Sequence, residues 1–458
     1  VRKLRIVCVL LACVSALLPS ASPVVFADET SSASTALRDY VLRADDSYGW
    51  VVRQRTTLGG CEVVELTLTS QVWRGLVWRH RVFVVVPPGL EGQTDALLVV
   101  EGGSWKDSDA EPLPEGGKPL PRQAILLGGF AQQLGAPVVV VLNVPRQPIF
   151  DGRKEDAIIA LTFEEFLNSG EMDWPLLLPM VKSVVRAMDA AQAFAEKELP
   201  FTIDRFTVTG ASKRGWTTWL TAAVDERVAG IGPMVIDMLN LEAQLEHQRA
   251  AYGTFSERIH DYTDRDLPRR MRAPEGAGLL QIVDPYSYRD QITQPKMLFL
   301  GTNDGFWTLD SLNLYWDGLQ GDKYVVYVPN ADHDLAMDWR RVLGGLRALH
   351  RHAHGVERLP ALQWQYTQED QQVTLQITPA AADVSVVLWT AQSPTRDFRK
   401  AQWTSRPLTL DPDTQTATAQ VQAPEQGYSA MYGEVIYSGG LLPLHLSTTI
   451  RVLEGQGR

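Results

Sequence analysis

Three residues spread along a chain of 458 have the types and the order for acyl transfer: Ser212, Asp304 and His333. A serine hydroxyl becomes a competent nucleophile when nothing crowds it, an imidazole takes its proton, and backbone N–H groups face the developing oxyanion. Residues 206–219 read Phe-Thr-Val-Thr-Gly-Ala-Ser-Lys-Arg-Gly-Trp-Thr-Thr-Trp. Their β-branched run breaks at Gly210, presents Ser212 and turns helical, which predicts a strand, a tight turn and a helix with serine at the apex. The usual G-x-S-x-G spacing would place glycine at 214, where this chain has Arg214, and Gly215 comes one residue late. A plain strand-to-helix turn with Ser212 as N-cap has the same local signature.

The acid and the imidazole follow in the order Ser, acid, His. Pro295 to Gly301 reads as a short buried strand that opens into Thr302-Asn303-Asp304-Gly305, placing Asp304 at its C-terminal end. Lys323 to Pro329 is a second β-rich run, and His333 stands on the loop behind it. Bland readings exist for both: an Asx-turn for Asp304, and for His333 a surface loop with Asp332 or Asp334 as its partner. Asp237, which ends the apolar run Val228 to Ile236 one strand earlier, is the alternative acid. For the oxyanion hole the Lys213 amide is one donor. Gly103 or Ser104, after the run Ala96 to Val100, is the other, unless these residues form only a Gly-Gly turn. The side chains of Lys213 and Arg214 could steady an oxyanion, hold an acidic substrate group, or be a solvated pair on a helix N-terminus.

Strands and helices must alternate to set such residues along one sheet edge, and they do. Alternating runs near Cys61 to Leu68 and Val77 to Val86 predict antiparallel strands. Six apolar strands follow, near residues 96–100, 136–142, 206–209, 230–236, 296–300 and 324–328, with helical stretches such as Leu178 to Leu199 and Gly215 to Ala223 between them. This rhythm predicts an α/β fold with a mostly parallel central sheet covered on both faces. Residues 238–294 exceed a simple crossover and are expected to form an inserted cap, or else a plain structural helical pair. Beyond Leu359 the helical period stops. Runs at 362–366, 373–377, 384–389, 416–422 and 448–452 predict a C-terminal β-sandwich over 359–458, leaving 28–358 for the catalytic domain. Trp105, Trp216 and Trp307 neighbour the motif residues and could line a pocket, although packing explains most tryptophans.

Residues 1–27 have the form of a signal peptide: Arg2, Lys3 and Arg5, an apolar stretch from Ile6 to Leu18, and Val25-Phe26-Ala27 before Asp28. The expected location is therefore periplasmic or extracellular. Leu10-Leu11-Ala12-Cys13 resembles a lipoprotein cleavage box, so anchoring at Cys13 is an alternative. Pro19 and Pro23 interrupt the apolar run, which argues against a transmembrane anchor. Only Cys61 remains after cleavage, so no intrachain disulfide is expected. The net charge of −11 argues against a nucleic-acid partner. No metal-ligand spacing or phosphate-binding glycine pattern occurs, so neither metal nor cofactor is implied.

The chain resembles the PhoPQ-activated pathogenicity-related family. The resemblance rests on Leu68-Thr-Ser-Gln-Val-Trp-Arg74 with Trp78 and His80, Gly210 to Trp219, Ile236-Asp-Met-Leu-Asn240, Asp284-Pro-Tyr-Ser-Tyr-Arg289, Asn303-Asp-Gly-Phe-Trp307, Pro329-Asn-Ala-Asp-His333 and Thr395-Arg-Asp-Phe-Arg399, and is expected to span nearly all of the mature chain. It implies an α/β-hydrolase-like fold in an exported bacterial protein, with relatives linked to envelope stress and resistance to cationic antimicrobial peptides. Two functional readings follow. One is an exported serine hydrolase acting through Ser212, His333 and Asp304 on a small-molecule or peptide ester or amide. The other is a noncatalytic envelope or signalling protein that uses the hydrolase scaffold as a binding surface.

Overall fold

The computed structural model describes residues 32–458 except 111–112, 114–119, 121, 382, 439–441 and 458. The signal peptide expected over residues 1–27, with Cys13 inside it, lies outside the described residues.

The chain opens with a short helix, α1 (Ala36–Leu42), and an antiparallel meander of β1 (Gly49–Leu58), β2 (Cys61–Trp73) and β3 (Leu76–Val86). The central strands follow: β4 (Gly92–Val100), β5 (Val138–Val141), β6 (Phe201–Ala211), β7 (Val228–Met234), β8 (Lys296–Gly301) and β9 (Lys323–Val328). All nine join one sheet in the order β1-β2-β3-β5-β4-β6-β7-β8-β9, parallel from β5 onward. This is the α/β-hydrolase arrangement with one further strand, β1, at the edge. The parallel strands are covered on both faces, so they read as unbroken apolar runs; β5 is four buried valines. Edge strand β1 was absent from the sequence reading because Arg53, Gln54 and Arg55 break its apolar alternation.

Helices α2 (Arg122–Leu134), α3 (Asp156–Ser169), α4 (Leu177–Glu198) and α5 (Lys213–Ala222) connect these strands. α4 and α5 contribute Phe194, Trp219 and their neighbours to the core on one face of the sheet. α2 covers the other face together with a helix over Trp339–Ala353. The latter packs against glycines of β7: a Cβ at Gly230 would stand 2.7 Å from Ala353 Cβ, and one at Gly232 2.8 Å from Leu346 Cδ2.

Between β7 and β8 the expected insertion forms α6 (Leu241–Tyr252), α7 (His260–Thr263), α8 (Leu267–Arg272) and α9 (Ala277–Val283), so the Trp339–Ala353 helix is α10. Buried Asp284 ties the two ends of the insertion, accepting from the amides of Asn240, Leu241 and Tyr286. After α10 come β10 (Leu362–Glu369), β11 (Gln372–Pro379), β12 (Ser385–Ser393), β13 (Thr404–Leu408), β14 (Ala417–Gln422), β15 (Tyr428–Tyr437), β16 (Leu444–Ser447) and β17 (Arg451–Glu454). One sheet runs β10-β11-β14, the other β13-β12-β15-β16 with β17 also on β15. Leu375, Ile377, Leu388 and Val435 pack between them as the core of a β-sandwich. Two corrections arise here. The strand expected over 448–452 is broken, since Thr448 turns to bond the Gly433 carbonyl between β16 and β17. Strand β15, which pairs with three others, carries Gly433 and Glu434 in its buried centre and gave no clean alternation. Among the described residues no helix is long and apolar enough to cross a membrane.

Candidate active site

Ser212 sits where β6 turns into α5, with φ 58° and ψ −127°, a region that side-chain-bearing residues rarely occupy. Its amide is held by the Met234 carbonyl at 2.8 Å, and its carbonyl accepts from the Trp216 amide. The late glycine now has a physical account. A Cβ at Gly215 would meet Ile236 Cγ2 at 2.8 Å and the Gly210 carbonyl at 2.9 Å; one at Gly210 would meet Arg214 Cβ at 2.8 Å. Gly215 therefore lets the helix lie on the sheet, and Gly210 makes room for the side chain where a glycine is usual.

His333 follows β9 and Asp304 follows β8. His333 Nδ1 lies 2.8 Å from Asp304 Oδ2, while Asp304 Oδ1 accepts from the Phe306 amide at 2.9 Å. The Phe306 ring lies against the imidazole, centroids 4.2 Å apart. His333 Nε2 is buried and has no hydrogen-bond partner in the protein, and His333 and Ser212 line the same cavity. The alternative acid is engaged elsewhere: Asp237 Oδ1 accepts from the Tyr315 hydroxyl at 2.7 Å. Burial, aided by the nearby Asp304 charge, pushes the Asp237 carboxyl up to about 8, although the Tyr315 bond opposes the shift.

Lys213 and Arg214 are neither solvated nor free. The Arg214 guanidinium grips the Glu155 carboxylate with two bonds of 2.8 Å and donates Nε–H to the Val144 carbonyl. Lys213 Nζ stands 3.0 Å from both Glu155 and Asp156. Burial works to raise the Glu155 carboxyl, but Arg214 and Lys213 outweigh it and bring it down to about 2. Sequence reasoning missed Glu155 and Asp156, because an acidic pair at the start of a helix ordinarily complements the helix dipole. The same cluster gives the glycine loop a further role: a Cβ at Gly102 would clash with Arg214 Nη2, so that glycine seats the guanidinium. Gly103 and Ser104 line a polar groove with Arg81, Asn143, Glu155 and Arg214, a different cavity from the one containing Ser212. The first amides of α5, Lys213 among them, have no carbonyl of their own helix to bond.

The Ser212 cavity holds about 60 Å³ and draws its walls from α3, α5, the end of β7 and the insertion. Trp216 and Trp307 line it, as the sequence suggested, but Trp105 does not. Val235 also lines it, with φ 45°, a strained value for a β-branched residue. The loops bearing the acid and the imidazole are braced by the sandwich segment 398–403. Asn303 Nδ2 donates to the Ala401 carbonyl at 2.7 Å, and Asn330 Oδ1 accepts from the Trp403 amide at 2.8 Å. Both asparagines fall in segments that carry the family resemblance, but their bracing role was not legible there.

The family described as PhoPQ-activated pathogenicity-related protein matches residues 37–399. The match stops short of the last strands, although the resemblance was expected to span nearly all of the mature chain. A curated relative, autocrine proliferation repressor protein A of Dictyostelium discoideum, is 34% identical over 387 residues, covering 80% of this chain and 76% of the relative. Among solved structures, an acetyl xylan esterase from a Thermoanaerobacterium species superposes with a TM-score of 0.46 at 18% identity, covering 69% of this chain and 92% of its own. A glucuronoyl esterase from Solibacter usitatus gives 0.39 at 13%, covering 69% and 92%.

Proposed function

This chain belongs to the PhoPQ-activated pathogenicity-related protein family, and we propose that it is a serine hydrolase acting through an acyl-enzyme. One observation carries the reading: a strained turn presents Ser212 to a cavity shared with an imidazole whose Nδ1 is held by Asp304 and whose Nε2 has no protein partner. Ser212 Oγ attacks the carbonyl carbon of an ester or amide, and His333 Nε2 takes the hydroxyl proton as the C–O bond forms. Asp304 keeps the ring oriented and stabilises the imidazolium. The tetrahedral oxyanion is held by the Lys213 amide, with the amide of Gly103 or Ser104, on the loop after β4, as second donor. Collapse breaks the bond to the leaving group, which receives the proton from Nε2. Water then attacks the acyl-enzyme with His333 as base, releasing the acid and restoring Ser212. The basic and apolar leader supports an exported enzyme.

The noncatalytic reading draws on the separation of the Gly103–Ser104 groove from the Ser212 cavity. One experiment decides. A fluorophosphonate is expected to label Ser212 in the purified protein, and Ser212→Ala to abolish labelling and lower ester turnover by about 10⁴-fold or more. An unlabelled wild type, with biological function intact in the Ser212→Ala, His333→Ala double variant, establishes the scaffold reading instead.

A further inference from the structure

We propose that the group transferred to Ser212 is a short, uncharged, apolar acyl group; this rests on the hydrolase reading and specifies its substrate class. The cavity that Ser212 and His333 share is walled almost wholly by apolar side chains, among them Phe163, Trp216, Leu241, Leu245, Ile259 and Met271. Trp216 packs edge-on against Phe163, with ring centroids 5.9 Å apart, and spends its indole N–H on the Val283 carbonyl, so it adds no free donor to the wall. The charged groups at the wall are already matched. Lys213 is pinned by Glu155 and Asp156, and Asp156 Oδ1 also accepts the Tyr262 hydroxyl at 3.0 Å. A carboxylate or polyhydroxylated acyl group entering here would lose its water and gain no free partner in exchange.

Size follows from volume. About 60 Å³ of cavity is room for roughly four water-sized bodies, which suits an acyl chain of about three or four carbons. Leu245 of α6 and Met271 of α8, both buried, line this cavity, so side chains of the insertion between β7 and β8 bound the space open to an acyl chain. The carbonyl carbon must reach Ser212 Oγ, so the acyl side of the scissile bond is the part that enters this space.

The test uses para-nitrophenyl esters of one leaving group and varied acyl chains on the full-length protein, with fluorophosphonate labelling of Ser212 in parallel. Each methylene from acetyl to butyryl is expected to raise kcat/KM about fourfold. Octanoyl and hemisuccinyl esters are expected to fall at least about tenfold below butyryl. Met271→Trp, and independently Leu245→Phe should the first variant not fold, is expected to shift the optimum toward acetyl. Normal labelling with a flat acyl profile, a preferred succinyl ester, or a length dependence found only when the alcohol of acetate esters is varied overturns the substrate class and leaves the hydrolase standing. Absence of labelling at Ser212 overturns both.

Discussion

At the scale of single residues the decisive contest is between two carboxylates. Asp304 bonds the imidazole, whereas Asp237 is buried and bonded to Tyr315. A carboxyl whose folded value has risen from 3.8 to about 8 is neutral at pH 7 in the folded protein, where the unfolded chain would carry it ionised. Its folded form holds a proton that the unfolded chain has lost, so stability declines with rising pH across that interval. Asp237→Asn is therefore expected to keep activity within about threefold and to hold or raise stability near pH 8, while Asp304→Asn lowers kcat by about 10³- to 10⁴-fold. Steady-state kinetics on the two variants checks this, and the reverse ranking would reinstate Asp237 as the acid. The spacing around Ser212 was legible in the sequence. The choice between the acids was not, because burial and the Tyr315 bond depend on chain 78 residues away.

Elements transmit order to the site. The strand that presents Ser212 is tied at Thr207, past its midpoint, to α10 and the residue that caps it: Thr207 Oγ1 lies 3.0 Å from both His350 Nδ1 and His354 Nε2. Burial pushes His350 down from 6.5 to about 3, helped by the neighbouring His354 and Arg351. It likewise lowers His354 to about 4, with Arg205 adding to the effect and Asp95 opposing it; the Asp95 carboxylate sits 2.7 Å from Nδ1 but off the hydrogen-bond line. Both rings fold neutral. Below pH 6.5 the unfolded chain takes up protons that the folded one refuses, so stability is complete above that value and falls toward pH 4. The slope reaches about 1.4 kcal/mol per pH unit for each ring. The Asp237 carboxyl acts in the opposite direction over the same interval, so the histidine contribution is read by difference: between about pH 7 and about pH 5, His350→Gln should lose less thermal stability than the wild type, or gain more; an equal change in both proteins would remove the histidine from the account.

At the scale of the whole molecule, one buried carboxylate joins the sandwich to the central sheet and α10. Glu434 of β15 accepts from Trp389 Nε1, lies 2.8 Å from His445 Nδ1 and pairs with Arg341 of α10 at 2.8 Å; Arg341 in turn donates to the Tyr327 carbonyl of β9. The sandwich thus holds the strand behind His333 as well as the loops that Asn303 and Asn330 anchor. Glu434→Gln leaves the buried Arg341 guanidinium with only the more exposed Asp338 carboxylate, 3.4 Å from its Nε, as counter-charge and is expected to cost about 3 kcal/mol. Denaturant unfolding measures it, and a loss below about 1 kcal/mol would mean that the sandwich adheres by apolar contact instead.

Local composition determined the alternation of strands and helices, the strand ends at 212, 304 and 333, and the glycines that shape the serine turn. Each of these is dictated by backbone sterics or by burial of a contiguous run. Tertiary structure alone decided which carboxylate meets the imidazole, that Lys213 and Arg214 are neutralised by Glu155 and Asp156, and that an apolar cavity closes over Ser212. Those outcomes depend on pairings between distant segments, whose energies arise from desolvation and charge matching that no short stretch of chain contains.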